Sequence, residues 1–199
     1  MKTTIIFFCF LFFICLTFFS CKKNDRKNLV PELSTPYRDI ADIDSIGMTF
    51  GTTASTTPWG ISHSGIDLYP NGNVKKIQSA EIGTVRYVTL KQNASLKWQV
   101  DILIDFNNNY SIEYQLVPDA SFKTDGETQL ANIFVAQNDA INKGDLIANL
   151  YTVGAYAHLQ FNLNTGSSAI CPKSFFSADA LSSMETLLQN SHPSWNLCY

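Results

Sequence analysis

The sequence predicts a mainly β fold, an antiparallel sandwich or half-open barrel followed by one C-terminal helix. Short segments with strict alternation of apolar and polar residues recur along the chain, which is typical of half-buried strands. Asn- and Gly-rich turns separate several of them. The remaining indication is a single segment with helical spacing, residues 177–190. Together these features favour antiparallel sheet packing with one helix added at the end.

One predicted strand is followed by a predicted hairpin of two more strands. In residues 83–90, period-two alternation places Val85 and Tyr87 on one face. Residues 98–106 have apolar residues at alternate positions that should face inward, namely Trp98, Val100, Ile102, Ile104 and Phe106. The positions between them that should face outward include Gln99, Asp101 and Asp105. The turn "NNNY" then leads into a returning strand, "SIEYQL".

The last clear strand, residues 155–164, has a polar face with an uncertain role. Its apolar face comprises Ala157, Leu159, Phe161 and Leu163, and its polar face comprises Tyr156, His158, Gln160 and Asn162. That polar face is either an ordinary solvated surface or one wall of an active site. A short strand after the turn at Lys143 and Gly144 precedes it. The helix 177–190 follows, with Ser177 as its cap and an apolar stripe of Leu181, Met184, Leu187 and Leu188.

The N-terminus predicts export. Residues 5–19 form a nearly unbroken apolar run behind Lys2, too short for an ordinary spanning helix and ended by Ser20, Cys21 and a polar stretch. Small Ser20 before Cys21 resembles a bacterial lipobox, which implies lipidation of Cys21 and anchoring in the cell envelope. The alternative is a plain signal anchor in which Cys21 is incidental. We therefore predict a lipoprotein signal over 1–20, a lipidated tether and lead-in over 21–45, and one domain over 46–199.

The cysteines and the net charge limit the class of protein and the partners that the sequence predicts. Outside the signal and Cys21, the chain has Cys171 and Cys198, which in an exported protein predict a disulfide, with two free thiols as the alternative. The net charge is −3, and no basic stripe with interleaved aromatics is present. Nucleic acid is therefore not an expected partner.

His63 and Asp67 form a candidate metal-binding pair. They lie four residues apart around Gly65, which lets the loop curl both side chains toward one point. Imidazole and carboxylate are common zinc ligands, and catalytic zinc takes three protein ligands plus water. Taken alone, the pair favours the alternative of a surface histidine bonded to a turn aspartate.

The order of segments strengthens the metal interpretation. The stretch from His63 to Val88, the strand pair ending in "EYQL", the Lys-Gly-Asp turn and "AHLQFNL" resemble the lysostaphin-type (LytM-like) zinc endopeptidases of bacterial cell walls. The resemblance covers about residues 47–164. It implies an antiparallel β domain with a narrow groove and a single zinc that cleaves peptidoglycan peptides. It matches His63 and Asp67 to two zinc ligands and His158 to the histidine that assists the catalytic water.

Two positions depart from the pattern of that family. Gln160 stands at the third zinc ligand, and Gln115 stands at the catalytic histidine of a Tyr-x-His-Leu stretch. An amide lacks a basic nitrogen and is a poor zinc ligand. We therefore expect zinc to be possible but weak, with a groove that binds peptidoglycan peptides or an envelope protein without efficient catalysis. The alternative is an active zinc endopeptidase that cleaves peptidoglycan cross-links. Convergence of His63, Asp67, His158, Gln160 and Gln115 in one groove is the structural expectation.

Overall fold

The computed structural model describes residues 26–52, 62–72 and 74–199, so the predicted signal peptide and Cys21 lie outside the described residues. Within these ranges the chain forms ten strands and two α-helices. In order they are β1 (Ile43–Met48), β2 (Ile66–Pro70), β3 (Val74–Gln78), β4 (Gly83–Gln92), β5 (Trp98–Asp105), β6 (Tyr110–Ala120), α1 (Lys123–Ala131), β7 (Ala140–Ile141), β8 (Leu146–Tyr151), β9 (His158–Thr165), β10 (Ser168–Ile170) and α2 (Ala178–Ser191).

Eight of the strands form one antiparallel sheet. Its order is β1-β2-β9-β6-β5-β4-β7, with β10 paired to β9, while β3 and β8 form a separate two-stranded sheet. Strand β9 pairs with β6 over residues 158–165 and with β2 over residues 159–161. The last strand in the sequence pattern is therefore central in the sheet, and its polar face is flanked by polar faces of both neighbours.

Strand β9 begins at His158 rather than at residue 155, because residues 155–156 form a turn, but from there its alternation is realised as predicted. Leu159, Phe161 and Leu163 are fully buried in the core, and Ala157 is almost fully buried. Burial of such side chains contributes about 1.5–3 kcal/mol each, so this face fixes the register of the strand. The opposite face, with His158 and Gln160, is left to line a cavity.

The C-terminal helix α2 also forms as the sequence predicts. The Ser177 side chain accepts a hydrogen bond from the Ala180 backbone N–H, which caps the helix. Ala180, Met184 and Leu188 are buried, and the helix packs against β1. The prediction of a mainly antiparallel β fold with a C-terminal helix is confirmed.

Helix α1 is a feature that the sequence pattern did not predict. Its sequence contains Gly126 and lacks an apolar stripe, so helical periodicity is absent. Tertiary contacts hold it in place instead. The buried Gln129 side chain donates to the Asn149 carbonyl over 2.8 Å and accepts from the Tyr151 N–H over 2.8 Å. One glutamine thus ties the helix to β8.

Strands β4 and β5 differ from the predicted faces. A bulge between Val85 and Tyr87 pairs these residues with Ile104 and Leu103, adjacent residues that point to opposite faces. Val85 and Tyr87 therefore lie on opposite faces, not on one. Gln99 and Asp101 do point away from the apolar core, but they are only 2% and 1% exposed, so the predicted outward face is not solvated there. Neighbouring polar side chains cover it, as described below.

Residues ahead of β1 contribute to the core. Leu33 and Tyr37 are fully buried, and the Tyr37 hydroxyl donates to the Leu68 carbonyl over 3.1 Å. A single 3₁₀ turn, Ile40–Asp42, then leads into β1. The sequence-based boundary at residue 46 stays a prediction.

A disulfide joins Cys171 and Cys198, whose Cα atoms are 5.9 Å apart. The backbone of Cys198 also forms an isolated β-bridge with that of Phe50, two residues after β1 ends. The chain end is thereby fastened to the body of the domain. No helix within the described ranges is long and apolar enough to cross a membrane.

Candidate functional site

A cavity of about 760 Å³ lies on the polar face of the main sheet. All five residues that the sequence singled out line it: His63, Asp67, Gln115, His158 and Gln160. The structure therefore brings together side chains that are up to 97 residues apart in the chain. We call this cavity the groove.

Strand register explains why the groove collects these side chains. Gln160 of β9 lies directly opposite Asp67 on one side and Gln115 on the other. Directly opposite residues share a face and have Cβ atoms about 4.5–5.5 Å apart. Asp67, Gln160 and Gln115 thus form one cross-strand row on the groove floor.

His63 is held in a fixed orientation at one end of this row. Its Nδ1–H donates to the Gly65 carbonyl over 2.9 Å, so Nε2 is the nitrogen that faces Asp67, 3.2 Å from Oδ1. A side chain at Gly65 would overlap that of Asn162, which explains the glycine between the two functional residues. Both His63 and Asp67 are almost fully buried.

The pKa of His63 reflects two opposing effects. Burial lowers it, but the hydrogen bond to Asp67 and the negative charge of that carboxylate together outweigh burial, with smaller help from the Thr49 and Gly65 carbonyls. The pKa of His63 is therefore raised above its ordinary value. In the protein without a metal, the Asp67 carboxylate therefore favours the protonated form of His63, in which Nε2–H donates to Asp67.

His158 faces the same carboxylate from the other side. Its Nδ1–H donates to the Tyr156 carbonyl over 2.7 Å, and its Nε2 lies 3.9 Å from Asp67 Oδ2. The ring also packs against Tyr69, with centroids 5.3 Å apart. Two imidazoles thus present Nε2 to one carboxylate, each with its tautomer set by a backbone carbonyl.

These residues do not make a complete zinc site. His63 and Asp67 have the spacing of two ligands on one ion, but the third position of the family pattern is the Gln160 amide, a weak ligand for zinc. Across the described part of the chain, no group of three or more His, Cys, Asp or Glu side chains has a metal-binding arrangement. The donor set does not fit firmly bound zinc.

Hydrogen bonds fix the Gln160 side chain. Its Nε2 donates to Ser64 Oγ and to Asn162 Oδ1, each over 3.1 Å. Asn162 Nδ2 in turn donates to Glu113 over 3.0 Å. Sequence reasoning placed Asn162 on this face but did not identify Ser64 or Glu113 as partners, because contacts between strands cannot be read from one strand's alternation.

A second polar cluster adjoins Gln115. Gln99 Nε2 donates to Asp101 over 2.6 Å and to Gln115 Oε1 over 3.4 Å, and Lys91 forms an ion pair with Asp101. Burial raises the pKa of the Asp101 carboxyl, and the hydrogen bonds from Lys91 and Gln99 offset only part of this rise. The only sequence signal for this cluster was the polar alternation of β5.

Two tyrosines form the rim of the groove at the His158 end. Tyr156 is 72% exposed, and Tyr69 is half-buried. Both also line a second cavity of about 560 Å³. Asp119, in a left-handed conformation with φ of 60°, accepts from the Tyr156 N–H over 3.3 Å and pairs with Lys97 over 3.0 Å. The rim is therefore anchored to the end of β6.

Comparison with solved structures identifies the fold. Lysostaphin, solved by NMR, aligns with a TM-score of 0.50 and 16% identity over 74% of this chain and 56% of that chain. A zinc-containing peptidase from Vibrio cholerae aligns with a TM-score of 0.49 and 16% identity over 71% of this chain and 39% of that chain. A mutant catalytic domain of the prophage-encoded M23 protein EnpA from Enterococcus faecalis gives 0.45 and 15% over 71% and 92%.

At this identity the likeness to lysostaphin shows the fold alone. This chain spans 56% of the lysostaphin chain and 39% of the Vibrio cholerae chain. No protein-family model matches the sequence, and no curated protein matches it. The comparisons therefore define a mainly antiparallel β fold similar to that of lysostaphin.

Proposed function

We propose that this protein is a bacterial envelope lipoprotein whose groove binds peptidoglycan peptides without cleaving them efficiently. The observation that carries the proposal is the groove itself, which brings the five side chains together, while glutamines stand at two positions where the family that the sequence resembles has imidazoles. Binding needs shape and hydrogen-bonding groups, whereas peptide hydrolysis also needs a strongly polarised water. The chain has the shape and the hydrogen-bonding groups, but it lacks some of the side chains needed to polarise a water.

Anchoring through Cys21 fits this role. A lipid on Cys21 followed by a polar segment would hold the groove near the membrane surface, within reach of the cell wall. Metabolic labelling with a fatty acid tests the anchor, and Cys21→Ser is expected to abolish it. Retention of label in that variant would contradict lipidation at Cys21.

Binding is tested by co-sedimentation of the purified protein with peptidoglycan sacculi. Tyr156→Ala removes an exposed aromatic side chain from the groove rim and should weaken binding about fivefold. Phe122→Ala is the matched control because Phe122 is 73% exposed and does not line the groove. Equal binding by both variants and the wild type would contradict use of the groove.

One observation favours a second candidate, a zinc endopeptidase with unusual ligands. His158 Nε2 is close enough to Asp67 that a small side-chain movement would bring it to a metal shared with His63. Metal analysis after exposure to zinc, together with a cleavage assay on sacculi, separates the two candidates. Stoichiometric zinc and cleavage that is lost in His63→Ala would favour the enzyme.

A further inference from the structure

Gln115 and Gln160 lie directly opposite each other on the groove floor. Each is oriented, through one intervening amide, by a carboxylate that does not line the groove. A carboxylate can only accept hydrogen bonds, so any amide next to it must turn its NH₂ group toward it. The remaining hydrogen-bonding atoms of that amide then orient the glutamine that it contacts. This fixes which atom each glutamine offers to a ligand.

On the Gln160 side the orientation begins at Glu113. Its carboxylate accepts from Asn162 Nδ2, which leaves Asn162 Oδ1 to accept from Gln160 Nε2. The other N–H of Gln160 donates to Ser64. Both N–H groups of Gln160 are therefore used, and within the described residues no donor contacts Oε1. Gln160 offers the groove a hydrogen-bond acceptor.

On the Gln115 side the orientation begins at Asp101 and gives the opposite result. Asp101 accepts from Gln99 Nε2, and the second N–H of Gln99 faces Gln115 Oε1. The oxygen of Gln115 is thereby directed toward Gln99. Its NH₂ group has no acceptor among the described residues. Gln115 offers the groove a hydrogen-bond donor.

We propose that this donor and acceptor pair binds the main-chain N–H and C=O of one residue of an extended peptide, and not its side chain. In an extended strand the N–H and C=O of one residue point to the same side, which is how antiparallel strands exchange two hydrogen bonds. The N–H of one ligand residue donates to Gln160 Oε1, and its C=O accepts from Gln115 Nε2. The inference rests on the proposed function, since it specifies what the groove recognises.

Glu113 and Asp101 are positioning residues in this arrangement. Neither needs to contact the ligand, but each determines the direction of an amide that does. The two positions at which glutamine stands in place of imidazole thus offer one hydrogen-bond acceptor and one hydrogen-bond donor. Recognition by main-chain groups also makes the site tolerant of the ligand's side chains.

The proposal is tested with N-acetyl-alanine N-methylamide, which contains one residue with one N–H and one C=O between blocked ends. Its partner probe is acetyl-lactic acid N-methylamide, in which an ester oxygen replaces that N–H. Millimolar amide probe should shift the NMR signals of the Gln115 side-chain NH₂ group and bind at least about fivefold tighter than the ester. Equal affinity for the two probes, or no shift at Gln115, would overturn the proposal.

Variants separate this proposal from the proposed function. Gln115→Met and Gln160→Met should each lower sacculus binding about fivefold, whereas the exposed control Gln137→Met should not. Glu113→Gln should weaken binding and increase hydrogen exchange of the Gln160 NH₂ group, a readout that loss of packing elsewhere would not give. Sacculus binding that is unchanged in both Met variants would overturn the paired-amide proposal and leave the groove proposal standing.

Discussion

Gln160 is fixed both by its side-chain contacts and by its strand register. Its amide is firmly held by Ser64 and Asn162, and its register opposite Asp67 places it beside the His63–Asp67 pair. The backbone therefore places position 160 next to two side chains that can bind a metal, but an amide is a weak zinc ligand. A histidine at this position therefore tests whether an imidazole is all that a zinc site here would need.

We predict that Gln160→His raises zinc affinity at least about tenfold, equivalent to about 1.4 kcal/mol. The new imidazole supplies a third strong ligand next to His63 and Asp67 and completes an open zinc site. Competition with a chelating dye at neutral pH measures the gain. Adding Gln115→His is expected to bring detectable cleavage of sacculi.

The matched control is Gln137→His, which adds an imidazole at an exposed position away from the groove. It should leave zinc affinity unchanged. If Gln160→His gains no more than this control, His63 and Asp67 are not directed at a common ion.

Stability should depend on the protonation of His63. An unfolded histidine titrates near 6.5, and the pKa of His63 is raised in the folded protein. The folded state therefore holds the proton more tightly than the unfolded state does, and this difference adds to the free energy of unfolding. The contribution is complete below the unfolded pKa. It is lost as pH rises from about 6.5 through the folded pKa. Urea unfolding at a series of pH values should show this decline.

Asp67→Asn should flatten that decline, because the carboxylate is what raises the pKa of His63. His192→Gln serves as a control, since His192 lies at the end of α2, far along the chain from this pair. A decline that persists unchanged in Asp67→Asn would show that another group is responsible.

Residues of the site could be predicted only as far as each strand's own pattern reached. His63, Asp67, His158 and Gln160 were found from local spacing and family resemblance. Ser64 and Glu113 were not, because their role comes from contacts between β9 and its neighbours. Hydrogen bonds across a sheet depend on register, which a single sequence does not specify.

At the scale of elements, prediction succeeded where burial and periodicity agree. Strand β9 and helix α2 each have an apolar face that packs into the core. Helix α1 was missed because tertiary contacts rather than amphipathicity hold it. The bulge in β4 reversed the face of Tyr87, since one extra residue moves every later side chain to the other side.

Gly126 within α1 gives a test of this distinction. In an exposed helix Gly→Ala stabilises by up to about 1 kcal/mol. Here a Cβ would approach within 2.7 Å of Trp98 Cβ, so Gly126→Ala should destabilise by about 1–3 kcal/mol. Chemical denaturation measures the difference. Thr124→Ala, exposed on the same helix, should be neutral or slightly stabilising, and the same sign for both variants would contradict close packing on Trp98.

At the scale of the whole molecule, the chain end and the groove are connected. The Phe50 N–H donates to the Leu197 carbonyl over 3.2 Å, and the Tyr199 N–H donates to the Phe50 carbonyl over 3.0 Å. The next residues, Gly51 and Thr52, make backbone hydrogen bonds with His63. The tail therefore supports the segment that positions His63.

The disulfide should matter for both stability and the site. Cys171 and Cys198 are 27 residues apart, and a cross-link of this kind typically contributes about 2–4 kcal/mol. Replacing both with alanine should lower the free energy of unfolding by that amount in urea. It should also increase hydrogen exchange at the Gly51 and His63 amides, because the tail that pairs with Phe50 is no longer fastened to the body. The wild type under reducing conditions should match the double variant. Unchanged exchange at these two amides, together with lower global stability, would mean that the disulfide stabilises the domain without supporting the groove.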